Sequence, residues 1–249
     1  MEYQKINAQT IDSWCAEGWE WGKPISPEAC EAVRQGQWNV LLSPTKPVPH
    51  DWFGNLAGKK LLGLASGGGQ QIPVFALLGA QCTLLDYSAA QCESDRAVAA
   101  REGYAVEIIQ ADMTKPLPFA DETFDLIFHP VSNCYIEKVE PVFRECFRVL
   151  KRGGVLLGGY DIGINYIFDE AEKTVTYKLP FNPLKDGKLL EESLRTNSGI
   201  QFSHTMEEQL GGQLKAGFRI TELYEDTNGV GNLHDHNVPS FVAVRAVKE

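Results

Sequence analysis

Long hydrophobic runs are missing from this sequence of 249 residues. It has no stretch of about 18 apolar residues, and its first residues, MEYQKINAQT, lack a basic segment followed by an apolar one. Neither a membrane-spanning helix nor an export signal is therefore indicated. We expect a cytoplasmic protein without a membrane partner.

Positive charge is also scarce. The sequence has 23 Lys and Arg residues against 33 Asp and Glu residues, a net charge of −10, and no basic run. Because nucleic acids and anionic membranes are bound mainly through clustered Lys and Arg side chains, neither is an expected partner. We expect small molecules as partners, and nothing indicates an oligomeric state.

The cysteines are few and scattered, and no Cys-x-x-Cys pair occurs. They are Cys15, Cys30, Cys82, Cys92, Cys134 and Cys146. Zinc sites and disulfide frameworks use patterned cysteines, so both are disfavoured and we expect reduced, mostly buried thiols. The stretch HDH at 234–236 has no further ligand at recognisable spacing, and we interpret it as a loop. We expect no metal.

Short apolar runs alternate with longer helical patterns from Lys59 onward. The runs are continuous, as expected of parallel strands that are covered on both faces. This order predicts a doubly wound α/β domain. The predicted strands are KKLLGLA (59–65), QCTLLDY (81–87), AVEIIQA (105–111), FDLIFHP (124–130), GVLLGGY (154–160), FRITELYED (218–226) and SFVAVRAVK (240–248).

Helix start signals support this order. Ser88 with Gln91, and Thr205 with Glu208, have the spacing of capping boxes. Pro73 suits the first turn of another helix.

One helix end is also indicated. Pro141 opens a helix whose apolar face runs to Leu150. Lys151 and Arg152 are expected in its last turn, where cations favour the helix dipole, before Gly153.

Two regions fall outside the alternation. Residues 1–52 hold all five tryptophans and the stretch SPTKPVPH, so we expect a helical or irregular cap that docks on the main domain, 53–249. Residues 162–200 form an insertion in which KTVTYKLPFNPLKDGK (173–188) is expected to be a hairpin. Insertions after the carboxyl ends of strands commonly shape substrate sites.

The stretch LLGLASGGGQQIP (61–73) joins a predicted strand to a predicted helix through three glycines. Such a turn lets a ligand approach bare backbone with unpaired N–H groups, although tight turns also use glycine for structural reasons alone. Asp86 ends the next strand, where a carboxylate can accept both hydrogen bonds from a ribose diol. Asp112 ends the third strand, where either the base of a nucleoside or plain solvent would face it.

Five segments resemble, in order and spacing, the motifs of class I (Rossmann-like) S-adenosylmethionine-dependent methyltransferases, particularly the small-molecule branch. They are LLGLASGGGQ, LLDYS, QADM, LPFADETFDLIF and FRVLKRGGVLLGGY. The resemblance is strong over about 57–161 and weak beyond. It implies a mostly parallel seven-stranded sheet with an antiparallel last strand, S-adenosyl-L-methionine across its carboxyl edge, and S-adenosyl-L-homocysteine as product.

The resemblance also implies cofactor contacts. The matching positions are Ala65, Ser66, Gly67, Gly68 and Gly69 for the methionine part, Asp86 and Tyr87 for the ribose, Asp112 and Met113 for the adenine, and His129 at the reacting end. The chain departs from the family at Gly63, where many members carry an acid, and at Ala65, where they carry glycine. How the amino end of the cofactor is held is therefore open.

Catalytic groups are harder to identify. His129 is the candidate general base, because an imidazole titrates near neutral pH, although packing on the cofactor or bonding the backbone is an alternative. Tyr135, Tyr160 and Asp161 follow strand ends and are candidate substrate contacts or structural groups. Cys134 is interpreted as an inert thiol.

The leading hypothesis is an enzyme that methylates an unidentified small-molecule acceptor by in-line displacement. The alternatives are a non-catalytic S-adenosylmethionine-binding sensor or partner protein and an NAD-dependent oxidoreductase. The oxidoreductase is less favoured because Ile72 stands where G-x-G-x-x-G/A needs a small residue. The tryptophans either pack the core of the cap or offer an aromatic face to a ligand, and we expect the cap to close over the cofactor.

Overall fold

Seven strands form one sheet in the computed structural model, which describes residues 2–249. They are β1 (Lys60–Leu64), β2 (Gln81–Asp86), β3 (Val106–Gln110), β4 (Phe124–His129), β5 (Leu150–Asp161), β6 (Phe218–Asp226) and β7 (Phe241–Lys248). The order is β3-β2-β1-β4-β5-β7-β6. Strands β1 to β5 pair in parallel, and β7 pairs antiparallel with β5 and β6. The predicted fold class is confirmed.

Eight α-helices accompany the sheet within the described residues. They are α1 (Tyr3–Ala16), α2 (Pro27–Arg34), α3 (Gln71–Leu77), α4 (Ala89–Glu102), α5 (Glu140–Val149), α6 (Gly187–Thr196), α7 (Gly212–Ala216) and α8 (Gly231–Asp235). A π-helical turn, Glu207–Gly211, leads into α7. Within residues 2–249, no helix combines the length and the apolar character that crossing a membrane requires.

The hydrophobic core lies on both faces of the sheet. Successive side chains of a strand point to opposite faces, and the neighbours Leu61 and Leu62 accordingly belong to separate apolar clusters. Helix α5 packs on the Leu62 side, whereas α3 packs on the Leu61 side. Trp52 and Phe53 also pack on the Leu61 side, so part of the N-terminal region is built into the core.

The end of α5 differs from the prediction. The strand β5 begins at Leu150, whose backbone is extended and pairs with Phe124 of β4. Lys151 and Arg152 therefore lie in the strand, and their predicted place in the last helical turn was wrong. The physical reason is that pairing with β4 begins at Leu150, which leaves no helical turn for Lys151; its Nζ instead donates to the Asp125 carboxylate at 2.9 Å.

The two predicted capping boxes have different outcomes. Thr205 and Glu208 form a complete box, in which each side chain accepts the other residue's backbone N–H. Ser88 Oγ accepts the N–H of Gln91 at 3.1 Å, but the N–H of Ser88 donates to Asp86 Oδ1 at 3.0 Å. The Gln91 side chain is thus displaced from the second half of the box.

The predicted hairpin over 173–188 was wrong. The described residues of this segment contain no strand, and an isolated bridge between Phe168 and Val175 lies at its start. Pro180 and Pro183 have no N–H to donate to a ladder. Asp186 then accepts backbone N–H groups through its side chain and opens α6.

Candidate active site

A cavity of about 710 Å³ opens at the carboxyl ends of the parallel strands. On one side it is lined by residues that follow β1, β2 and β3, and on the other by α1, residues 41–44 and, after β4, residues 130–132 and 134–136. The strand order reverses between β1 and β4. Such a topological switch point is where open α/β sheets bind ligands.

Most of the sequence-predicted site residues line this cavity. They are Ala65, Ser66, Gly67, Asp86, Tyr87, Asp112 and Met113. Gly68, Gly69 and His129 do not belong to the lining. The three residues that lie outside it have structural contacts, described below.

The N–H groups of the three glycines in the turn are bonded within the protein. Gly67 N–H donates to Asp86 Oδ2 at 3.0 Å, and Gly69 N–H donates to Asp95 Oδ2 at 2.9 Å. Gly68 N–H donates to the carbonyl of Gln91 at 3.2 Å. For these three glycines the expectation of unpaired N–H groups pointing outward was therefore wrong, because acidic side chains and α4 already accept them.

Close packing explains why this turn uses glycine. A Cβ on Gly67 would lie 2.9 Å from Asp86 Oδ2 and 2.7 Å from Gln91 Cβ. Gly68 and Gly69 have φ of +107° and +69°, in the region that favours glycine. Ala65 has φ of +48°, so the family glycine is replaced here by a residue in a strained conformation.

Asp86 connects the turn to the cavity. Its two oxygens accept the N–H groups of Gly67 and Ser88, and the side chain lines the cavity. An ionised carboxylate has about four acceptor positions, so about two remain for a ligand. Burial raises the pKa of Asp86, although its backbone hydrogen bonds offset part of this effect.

Asp95 on α4 is a buried carboxyl that the sequence analysis missed. It is 0% exposed, Oδ2 holds Gly69, and Oδ1 has no hydrogen-bond partner. Burial raises the pKa of Asp95 to about 7. A signal was present, because Asp95 follows Cys92 by three positions and precedes Val98 by three, on the buried stripe of the helix.

Helix α1 covers the cavity and is fixed by buried polar contacts. Asn7 Nδ2 donates to the carbonyls of Tyr135 and Ile200, and its Oδ1 accepts the N–H of Ile200. Asp12 Oδ1 accepts the Ser88 hydroxyl at 2.5 Å. Neither residue was predicted, because both have distant partners that the local pattern does not reveal.

Residues 41–46 form a second wall, which Asp226 holds. Ser43 Oγ donates to Asp226 Oδ2 at 2.7 Å, and the N–H groups of Thr45 and Lys46 donate to the same oxygen at 2.8 and 3.0 Å. The wall is thereby attached to the end of β6.

Two solved structures of methyltransferases have this fold. An S-adenosylmethionine-dependent methyltransferase from Mesorhizobium loti superposes with a TM-score of 0.65 at 18% identity, over 79% of this chain and 94% of that chain. A geranyl diphosphate methyltransferase in complex with GPP and sinefungin has a TM-score of 0.63 at 15% identity, over 100% of both chains. At these identities the likeness shows the fold.

Sequence relatives decide the family. Residues 62–158 match a family model described as a methyltransferase domain. The uncharacterized methyltransferase YbaJ of Bacillus subtilis (strain 168) is 37% identical over 249 residues, 97% of each chain. This chain belongs to the class I S-adenosylmethionine-dependent methyltransferases. S-adenosylmethionine is its methyl donor, and the sensor and oxidoreductase alternatives have no support.

The residues of this methyltransferase fit that donor. Ser66 is 2% exposed and lines the cavity, and its Oγ has no hydrogen-bond partner. A buried hydroxyl without a partner is costly, so such an atom in a cavity is suited to a polar ligand. Asp86 adds free acceptor positions for hydroxyl groups.

His129 lies outside the cavity of the methyltransferase and is 0% exposed. Its Nδ1 lies 2.8 Å from the carbonyl of Leu64, and its Nε2 lies 2.8 Å from Asn133 Oδ1. Burial lowers the pKa of His129, because a charged ring loses its hydration. The ring links the end of β1 to the segment after β4. Both of its nitrogens contact protein oxygens, so neither is available to take a proton from the methyl acceptor.

Of the other candidate groups of the methyltransferase, two line the cavity and two do not. Tyr135 and Cys134 line the cavity, and burial raises the pKa of the Cys134 thiol, which disfavours the thiolate. Tyr160 is 0% exposed and is not part of the lining. Asp161 is also outside the lining and bonds Gly163 N–H, and burial raises its pKa to about 6.

The HDH stretch lies on and just after α8, rather than in a loop. His234 Nδ1 lies 2.6 Å from Thr227 Oγ1, and His236 Nδ1 lies 2.8 Å from the carbonyl of Asn232. Within residues 2–249 no group of three His, Cys, Asp or Glu side chains is arranged to hold a metal.

Proposed function

We propose that this methyltransferase methylates a small-molecule acceptor held beside the donor in one cavity. The observation that carries the proposal is the cavity of about 710 Å³, which reaches from the ends of β1, β2 and β3 to α1 and the segment after β4. Small-molecule pockets span about 300–1,000 Å³, so this volume suits a donor and an acceptor together.

We assign the donor to the β1–β3 side of the cavity. Asp86, beside Tyr87, would hold the ribose hydroxyls through its remaining acceptor positions. Asp112 and Met113, which follow β3, would flank the adenine. The methionine part would lie along Ala65, Ser66 and Gly67, whereas Gly68 and Gly69 shape the turn from behind.

The chemistry asks little of the protein beyond geometry. When bound, S-adenosylmethionine supplies a methyl carbon that its sulfonium already activates toward in-line displacement. The chain's own side chains then hold the acceptor in line and exclude water. Both nitrogens of His129 are engaged away from the cavity, so we assign it a structural role and attribute the rate enhancement to positioning.

We infer that residues 1–52 act as a cap that completes the acceptor side. Ile11 and Trp14 of α1 line the cavity there, as do Leu41 and Leu42. Trp14→Ala is expected to lower methyl transfer and to leave affinity for S-adenosylhomocysteine nearly unchanged. If this variant turns over at the wild-type rate, the inference that residues 1–52 complete the acceptor side is wrong.

We also infer that the enzyme works in the cytoplasm and on neither nucleic acids nor membranes. All six cysteines are unpaired, a state that reducing compartments maintain. The net charge of −10 opposes binding to polyanions. Fractionation of cells that produce the tagged protein tests this inference, which fails if the protein sediments with membranes.

Calorimetry tests the donor site. Wild-type protein should bind S-adenosylhomocysteine and not NAD. Asp86→Asn should weaken S-adenosylhomocysteine binding by about 10- to 100-fold, because hydrogen bonds to a charged group contribute about 1.5–3 kcal/mol. Asp51→Asn, at an exposed position, is the matched control. Equal affinity in Asp86→Asn and wild type would remove the ribose assignment.

Methyl transfer is tested with labelled donor and a metabolite extract. The expected result is label in a small-molecule fraction with wild-type protein and much less with Asp86→Asn. Label found in protein or nucleic acid instead would contradict the proposed acceptor class.

A further inference from the structure

The acceptor side of the cavity is built mainly from apolar and aromatic side chains. Trp14 and Trp19 line it with their ring centroids 5.1 Å apart. Val131 and Ile136 line it from the segment after β4, and Phe241 lines it from β7. Flat aromatic walls favour an apolar, ring-bearing ligand.

Three polar side chains on this side already bond the protein. Asn7 uses both ends of its amide on Tyr135 and Ile200, and Ser43 donates to Asp226. Gln201 donates to the carbonyl of Ser198 and accepts the hydroxyl of Tyr166. These three residues line the cavity without leaving their hydrogen bonds open to a ligand.

The charge around the cavity has one sign. Its ionisable acids are Glu17, Asp86 and Asp112, and among residues 2–249 no Lys, Arg or His contributes to the lining. A buried anion needs a cation or free N–H groups to replace its hydration. The N–H groups of Gly67 and Gly69 are held by Asp86 and Asp95, so the turn does not supply them to an acceptor.

We propose that the acceptor is an apolar molecule that carries no anionic group. Phosphorylated, sulfated and carboxylated acceptors are disfavoured because the cavity lining has no cation for them, whereas the carboxylate of the donor is accompanied by an ammonium group of the same molecule. This inference rests on the proposed function, since it describes the acceptor side of the same cavity.

Two fluorescent probes with one skeleton test the inference. N-phenyl-1-naphthylamine is uncharged at neutral pH, and 1-anilinonaphthalene-8-sulfonate carries an additional sulfonate. Each is titrated into the full-length protein with saturating S-adenosylhomocysteine. We expect the uncharged probe to bind at least about tenfold more tightly. Equal or tighter binding of the sulfonate, or failure of the uncharged probe to bind, would overturn the inference.

A charge substitution ties the result to this cavity. Val131→Lys adds a cation to the acceptor side and should shift the ratio of the two affinities toward the sulfonate by at least about tenfold. Val230→Lys is the matched control, because Val230 is 74% exposed and outside the cavity lining. An equal shift in both variants would mean that the probes bind elsewhere and would refute the charge argument.

The donor site is measured separately. Calorimetry with S-adenosylhomocysteine alone reports on the proposed donor site. If that ligand fails to bind, the proposed function fails; if it binds and the sulfonate probe is preferred, only the acceptor inference fails.

Discussion

Replacing Asp95 by asparagine tests whether a carboxyl that supports the glycine turn is protonated near neutral pH. Asp95 is 0% exposed, one oxygen holds Gly69 N–H, and the other has no partner. Burial, with a further contribution from the charge of Asp86, raises its pKa from the usual 3.8 to about 7. The folded protein therefore binds this proton more tightly than the unfolded chain does.

The sign and size of the effect follow from this difference. The contribution of Asp95 to the free energy of unfolding is fully present below about pH 4, decreases as pH rises, and is level above about pH 7. Each pH unit is worth about 1.4 kcal/mol, so the loss over this window is about 4 kcal/mol. Asp95→Asn has no proton to lose at this position and should not show the loss.

Urea unfolding from pH 4 to pH 8 measures the effect. The free energy of unfolding of Asp95→Asn minus that of wild type should increase by about 4 kcal/mol across this range. The side-chain amide of the variant can leave a buried N–H without an acceptor, but this cost changes the free energy of unfolding equally at every pH. The informative quantity is therefore how the difference between variant and wild type changes with pH. Asp51→Asn controls for the loss of one exposed carboxyl. A difference for Asp95→Asn that is constant to about 0.5 kcal/mol would refute the reasoning.

Three further substitutions test the turn and the cavity wall. Gly67→Ala should reduce S-adenosylhomocysteine affinity in calorimetry by at least about tenfold, because the added Cβ would lie 2.9 Å from Asp86 Oδ2. The control Gly187→Ala adds a Cβ that faces open space and should leave this affinity unchanged. Ala65→Gly should raise the free energy of unfolding by about 0.5–1 kcal/mol. The strain released at the left-handed φ of Ala65 exceeds the extra conformational entropy that glycine gives the unfolded chain. A lower thermal midpoint would contradict this. Asp226→Ala should lower the free energy of unfolding by about 2–4 kcal/mol in urea titrations, since five donors lose their acceptor. An unchanged midpoint would show that other contacts hold the wall.

The donor side of the molecule is readable in the sequence because its signals are local. Strands β1, β2 and β4 are buried on both faces and therefore appear as continuous apolar runs. Asp86 ends one such run, and its side chain reaches the cavity as expected for a residue at the carboxyl end of a strand. The same reasoning leads to Asp112, two residues after the end of β3.

The acceptor side depends on partners far apart in the chain. Asn7 looks like an ordinary polar residue of a helix, and its role follows from a contact with Ile200. His129 was expected at the reacting end, but it lies outside the cavity lining. Its position depends on its contacts with Leu64 and Asn133, which are distant from each other in the sequence. Hydrophobic periodicity does not contain such information, because it reports the face of an element and not the partner.

The attachment of α1 through Asn7 has a consequence for synthesis of the chain. The helix leaves the ribosome before its hydrogen-bond partner Ile200, which is translated 193 residues after Asn7. At about 5–20 residues per second, the helix waits roughly 10–40 s before it can dock. A nascent chain stalled before Ile200 should therefore expose the Trp14 and Trp19 region to proteases, while the strands β1 to β5 have already emerged.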